Sequence, residues 1–460
     1  MTSLRTENGS GSSGLAWAAS PLPELVRLAW PITVSMLSYS VMTLVGTLFV
    51  GRLGSYALAG VGLGGTAAFT LMCFGFGVLR GVKVLVSQAV GAGSKDEADA
   101  FLGAGILWAA ALSVAIVIAG EIVAQWLPGL AATAASGDAA RTYLRIRILG
   151  TPMVLVYVAI REARYGLGDA RSPMVGAVAG NVVNVALDWL LIVHLGLGVA
   201  GAAWSTVFAH LVEAGVLCAV QRRDGFGLGV ARLRHALDVW RLGLPTALQF
   251  VLESGSFALL AALIASLSEV EMAAHQIALQ VIHFSFLPAF AVGEAASVLT
   301  GQAVGADRGD LVRVVARRAL LAAGVYTGLC SLLFAFGGAW IVAPFAAETA
   351  TRVVAVRLLV VAAIFQVFDG ANIIARGALR GTGDVRYAAA IGILTSWLLT
   401  PPMTWLLGVR AGLGALGGWT GLCLEIIAGA LLLWWRLERG AWRHAAARSR
   451  ERFTVVPAPT

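Results

Sequence analysis

Gln88-Ala-Val-Gly-Ala92 recurs unchanged as Gln302-Ala-Val-Gly-Ala306, 214 residues further along a chain of 460. The same shift, without a gap, carries Pro31 onto Pro245, Leu53 onto Leu267, Ala59 onto Ala273 and Asp96 onto Asp310. A shift of 215 then maps Arg161 onto Arg376, Gly166 onto Gly381, Gly168-Asp169 onto Gly383-Asp384 and Arg171 onto Arg386. A shift of 216 maps Gly196, Gly198 and Gly201 onto Gly412, Gly414 and Gly417. A register this constant marks a duplicated unit that fills about half the chain.

The duplicated unit is apolar throughout. The chain is 58% hydrophobic and 13% charged, with a mean hydropathy of +0.83, where soluble domains carry about 25% charge. Water does not solvate such a surface, but a bilayer does. A bilayer core about 30 Å thick takes roughly 20 apolar residues per helix, so twelve helices fit the length. The apolar runs are continuous rather than alternating, which selects helices over a barrel. The expected stretches are 24–50, 57–90, 97–127, 139–166, 173–195, 198–221, 238–267, 272–305, 311–343, 351–380, 385–408 and 412–437. The fold class is an all-α polytopic membrane protein of twelve transmembrane helices in two six-helix pseudo-symmetric lobes. The expected parts are a disordered cytosolic leader (1–23), an N-terminal lobe (24–221), a cytosolic linker (222–237), a C-terminal lobe (238–437) and a basic cytosolic tail (438–460).

A net charge of +8 would suit nucleic acid, but its placement argues for topology. With the N-terminus inside, most Lys and Arg fall in inner loops and tails, which obeys the positive-inside rule. Both termini are then cytosolic, in a multi-pass protein of the plasma (inner) membrane that acts as a monomer. Six helices per half give parallel repeats related by an axis along the membrane normal, which suits a transporter with its site between the halves. Cys73, Cys218, Cys330 and Cys423 lie far apart within apolar runs and read as small buried hydrophobes. There is no metal-ligand cluster, phosphate loop or catalytic triad, so neither an enzyme nor an ATP-driven pump is expected, and no cofactor beyond Na⁺ or H⁺.

An ionisable group in mid-membrane faces a cavity or a partner, so it is a candidate for function. Glu253 shares a face of the seventh stretch with Gln249 and Ser256. Asp369 sits in the tenth with Gln366 and Asn372 three residues to either side, and Arg376 two turns on. Asn181, Asn184 and Asp188 form a stripe in the fifth. Carboxylates there would bind Na⁺ or carry a proton; the competing reading is a hydrogen-bond network that pins helices together. The symmetry mate of Glu253 is Tyr39, so the acids break the symmetry that glycines and turns obey. Gln249, Ser256, Gln366, Asn372 and Tyr39 are candidate linings of a substrate cavity. Arg80 is the mate of Glu294, and the two form a possible gate pair. The second stretch spans about 51 Å at 1.5 Å per residue, so the preferred expectation is that Arg80 and Lys83 protrude and meet water. His275 and His283 are expected to pack helices, and Asp169 and Asp384 to cap them.

These motifs resemble the multidrug and toxic compound extrusion (MATE) family of secondary transporters. The matching pieces are Leu28-Ala-Trp-Pro31, Phe49-Val-Gly-Arg-Leu-Gly54, Gln88-Ala-Val-Gly-Ala-Gly93, Gly166-Leu-Gly-Asp-Ala-Arg-Ser-Pro173, Ala273-Ala-His-Gln-Ile277 and Ala375-Arg-Gly-Ala-Leu-Arg-Gly-Thr-Gly-Asp384. The resemblance implies two lobes in a V, alternating access, and export of cationic or lipophilic organic compounds against inward Na⁺ or H⁺. It identifies Glu253 and Asp369 with the family's acids of helices 7 and 10, and Asn184 and Asp188 with its N-lobe cation site. Gly46 stands where many bacterial members carry an Asp, which shifts the expected coupling site to the C-terminal lobe. The alternatives are a lipid-linked precursor flippase of the same superfamily, which a basic cleft would favour, and a membrane-embedded enzyme or receptor.

Overall fold

The computed structural model describes residues 15–345 and 348–454. One lobe contains α1 (Pro21–Gly51), α2 (Ser55–Gly91), α3 (Lys95–Leu130), α4 (Ala134–Ile148), α5 (Thr151–Gly166), α6 (Arg171–Asp188) and α7 (Gly198–Gln221). The other contains α8 (Leu233–Ala265), α9 (Glu269–Gly305), α10 (Gly309–Val342), α11 (Thr349–Gly381), α12 (Val385–Met403) and α13 (Ala415–Arg439), and a short α14 (Arg443–Thr454) follows. Among the described residues, eleven helices are long and apolar enough to span a bilayer, and the bent pair α4–α5, taken as one span, makes twelve. That span, expected as one helix over 139–166, breaks by 50°. Pro152 stands in the first turn of α5, where its missing N–H is tolerated but a continuous helix would lose a bond.

The repeat is visible in the backbone. A π-helical turn at Trp189–His194 follows α6, and its mate at Thr404–Arg410 follows α12. Gly168 and Gly383 close the turns after α5 and α11 at φ +82° and +84°, a conformation that glycine adopts without steric cost.

The lobes meet at one end and part at the other. Gly77 and Gly81 in the second half of α2 press on the other lobe, against Ala247 and Val239, while Gly91 and Gly305 sit on the backbone oxygens of Gln302 and Gln88. At the opposite end, Gly60 and Gly64 of α2 pack on α4, and Gly414 packs on Glu271 of α9, each within its own lobe. The result is a V closed at the end of α2.

The repeated pentapeptide forms that closure. Gln88 Nε2 donates across the lobes to the Gly381 carbonyl at 2.9 Å, and Gln302 Nε2 donates back to the Gly166 carbonyl at 3.2 Å. Donor and acceptor are symmetry mates in both bonds. The two ends of the chain complete the arrangement. Trp17 Nε1 donates to Gln302 Oε1 at 2.8 Å, and Ser449 Oγ donates to Gln88 Oε1 at 2.5 Å. Two expectations are thereby corrected, the disorder of the leader and the end of the linker. The leader is ordered from residue 15 and docks on the closure; its residues 1–14 lie outside the described ones. The tail forms α14, tied down by Arg450–Asp307 and Arg452–Asp238 and by the buried Trp442. The linker gives way to α8 at Leu233 rather than at 238.

Gly91→Val tests the closure. A Cβ there has no room against the Gln302 backbone, and overpacking typically costs about 1–3 kcal/mol. The closed end is expected to open roughly tenfold more often, read as faster amide hydrogen exchange over the second half of α2. Unchanged exchange would contradict the assignment.

Candidate functional site

The C-terminal lobe holds its acids on three helices. Glu253 of α8 receives Arg376 Nη1 of α11 at 3.0 Å and Gln249 Nε2, one turn below it, at 2.8 Å. Gln249 in turn accepts from Arg380 Nη2 at 2.9 Å. The amide therefore links the acid to a second guanidinium. Gly392 of α12 lets that helix close over Glu253 and Gln249, since a Cβ would stand 2.5 Å from Gln249 Nε2. Arg376, expected near Asp369, is thus the direct partner of Glu253. Asp369 is half-buried and makes no hydrogen bond or close ion pair among the described residues.

A third acid, Glu425 of α13, was not anticipated. It is buried, accepts from Thr400 Oγ1, and lies within electrostatic reach of Glu253 and Asp369. A lone acid in the apolar run Leu422-Cys-Leu-Glu-Ile was a readable signal. Three candidate lining residues lie inside helix interfaces in this conformation. Ser256 donates to the Ser396 carbonyl at 3.0 Å, Gln366 to Ser285 Oγ at 3.0 Å, and Asn372 to the Ile426 carbonyl at 3.3 Å. Tyr39 of α1 is exposed.

The stripe of α6 gathers as spaced. Asn181 Nδ2 donates to Ser38 Oγ of α1 at 2.7 Å. Asp188 is buried and accepts from Ser205 Oγ of α7. With its amide turned to satisfy both neighbours, Asn184 donates to Asp188 Oδ2 at 3.3 Å and accepts from the Thr206 N–H at 3.2 Å. Gly46 faces the same carboxylate, its Cβ direction 3.3 Å from Asp188 Oδ2. An aspartate at 46 would therefore point at Asp188. A second buried pair, His210 with Glu213 at 2.8 Å on α7, was also missed, although its i, i+3 spacing in an apolar run was legible.

Between the lobes, just above the closure, lies an ionic layer. Glu294 of α9 accepts from Arg80 Nη1 at 2.6 Å and from Lys83 Nζ, both of α2. Lys83 stands 3.7 Å from Glu162 of α5, which also holds Arg161 at 2.8 Å. Arg80 stacks over the Phe250 and Phe290 rings, 5.2 Å from each centroid. The expectation that Arg80 and Lys83 meet water is corrected, since Lys83 is only 2% exposed. The inner end of α2 is covered by the other lobe, not by solvent. His275 packs helices, accepting from Trp419 Nε1 at 2.9 Å. Asp169 caps α6 through the Arg171 and Ser172 N–H groups at 3.1 and 3.0 Å. Its mate Asp384 does not cap; it binds Arg436 at 2.7 Å.

Two helical lobes closed at one end over a charged layer, with acids on their inner helices, define a membrane transporter. The MatE family profile matches residues 31–190 and again residues 245–406, and the chain belongs to that family. It is similar to "Probable multidrug resistance protein NorM" of Pseudomonas syringae pv. tomato, 30% identical over 447 residues that cover 93% of this chain and 96% of that one. It is likewise similar to the protein of that name in Pseudomonas putida, 32% identical over 447 residues, 91% of this chain and 95% of that one. A solved MATE structure in complex with MaL6 shares the fold at a TM-score of 0.87, with 21% identity, covering 94% of this chain and all of that one. The protein is a membrane transporter of the MATE family, not an enzyme, and its curated relatives are named as multidrug resistance proteins.

Proposed function

We propose that the protein is a secondary antiporter that exports cationic or lipophilic organic compounds by alternating access, driven by inward Na⁺ or H⁺ through Glu253 and Asp369. The observation that carries this reading is the network joining Glu253, Gln249, Arg376 and Arg380, with Asp369 on the same helix as both arginines. In this conformation Glu253 is held by Arg376. A coupling cation or proton competes with that guanidinium, while Asp369 offers a carboxylate that no close cation neutralises. Because the network sits directly above the inter-lobe layer, occupancy at the acids has a route to the closure. A ligand shifts two states only by its differential affinity for them. Exchange of Arg376 for the coupling ion supplies such a difference.

The bias of Lys and Arg supports cytosolic termini, and with them a closed end toward the cytosol, in a protein we read as a monomer of the plasma membrane. The open end then faces outward. The test is transport of a fluorescent organic cation in proteoliposomes, with Na⁺ and pH gradients imposed separately. One gradient is expected to drive uphill transport and the other not; failure of both would overturn the antiport reading.

A second reading, export of lipid-linked precursors, gains from the placement of Arg80, Lys83 and Arg380 between the lobes. It is the weaker one, since Glu294 and Glu162 offset part of that charge. Transport of a lipid diphosphate but of no organic cation would favour it.

A further inference from the structure

The ionic layer carries more positive charge than its acids balance. Arg80, Lys83 and Arg161 share two carboxylates, Glu294 and Glu162, and Arg380 adds a fourth cation. Arg380 is the odd member. It is 6% exposed, its only hydrogen-bond partner among the described residues is the neutral amide of Gln249, and no carboxylate lies within 4 Å. Its Nε has no partner at all among the described residues, and neither has the Oγ of Ser297, which is 1% exposed. An isolated buried cation is costly unless something pairs it.

Both orphaned residues line one cavity. Its walls are Arg80 and Lys83 from one lobe, and Thr246, Ser297 and Arg380 from the other, completed by apolar side chains. The cavity measures about 10 Å³, room for roughly one water-sized occupant. Three cationic side chains and two hydroxyl-bearing ones border so small a space, which admits a single compact occupant and excludes an extended anion.

We propose that this cavity binds one small inorganic anion of chloride size, and that the site exists only while the lobes are closed at this end. Arg80 and Lys83 come from α2 and the remaining polar groups from α8, α9 and α11, so parting the lobes separates the donors. The anion pairs the excess guanidinium, and occupancy stabilises the closed state by mass action. This inference does not depend on which ion drives transport or on the role of Glu253.

Equilibrium binding of radiolabelled chloride to the purified full-length protein tests it, with gluconate keeping ionic strength constant. Wild type is expected to bind one chloride per chain saturably, with bromide competing and gluconate not. Its thermal midpoint should rise with chloride over the same range. Ser297→Ala, which removes one hydroxyl from the cavity, is expected to weaken binding about tenfold, the size of one hydrogen bond to a charged group. Arg380→Gln should abolish it, and Gly91→Val, which raises the open population without touching the cavity, should weaken it in proportion to that rise. Absence of saturable chloride binding to wild type would overturn the proposal. So would binding that Ser297→Ala and Gly91→Val both leave unchanged, since that places the anion elsewhere.

Discussion

Glu253→Gln is expected to reduce gradient-driven efflux to the level of empty vesicles, while the protein inserts and purifies in normal amounts. The substitution keeps the side chain's size and an oxygen for Gln249 Nε2 and Arg376 Nη1. It removes only the charge that a coupling cation or proton would share. Without that charge the two lobe arrangements lose the differential affinity that ties ion movement to substrate movement. Binding of the organic cation should survive, and that separates lost coupling from a lost fold. Asp369→Asn is expected to act in the same direction, and the double variant should be no worse than either alone if both acids serve one event. Asp188→Asn, in the lobe where Gly46 rather than an acid faces that carboxylate, should reduce efflux less than tenfold. Wild-type efflux from Glu253→Gln with Asp369→Asn vesicles, measured under both gradients, would refute the C-lobe assignment.

The spans and the repeat were legible because they are periodic properties of the chain. Hydropathy needs no knowledge of partners, and an internal duplication is visible in sequence alone. Gln88 and Gln302 show how far this reaches. Their recurrence marked a shared framework, and the structure shows each bonded to the glycine that ends a helix of the opposite lobe. What was not legible depends on the neighbour a side chain meets. Gln366 and Asn372 lie three residues from Asp369, so they project about 60° to either side of it. Each turns into a different helix interface, toward Ser285 and toward Ile426. Asp169 and Asp384 occupy the same turn of the repeat, yet only Asp384 has an arginine from α13 in reach. Lys83 departs from its expected place for a similar reason. Helix length compared with bilayer thickness says that an end protrudes, but not that another lobe covers it.

The layer containing Lys83 carries the second large effect. Glu294→Gln is expected to destabilise the closed arrangement by about 3–5 kcal/mol, the usual cost of removing one partner from a buried ion pair. That corresponds to a fall of roughly two to nearly four orders of magnitude in the closed-to-open ratio. The cause is specific. Glu294 is the carboxylate shared by Arg80 and Lys83, and its side chain is 7% exposed. An amide in its place leaves Arg80 without a countercharge, and leaves Lys83 only the more distant Glu162 at 3.7 Å. Hydrogen exchange should accelerate over the second halves of α2 and α9, where the lobes touch, and stay unchanged at their first halves, which pack within one lobe. If the penalty is uncompensated charge rather than lost packing, withdrawing a cation should repair it. Lys83→Met keeps the aliphatic length of the side chain and removes its charge, so Glu294→Gln with Lys83→Met should recover part of the protection that Glu294→Gln loses, with Arg80 still unpaired. A double variant as exposed as the single one would show that Glu294 holds the lobes by shape, and the layer could then no longer be read as an electrostatic latch.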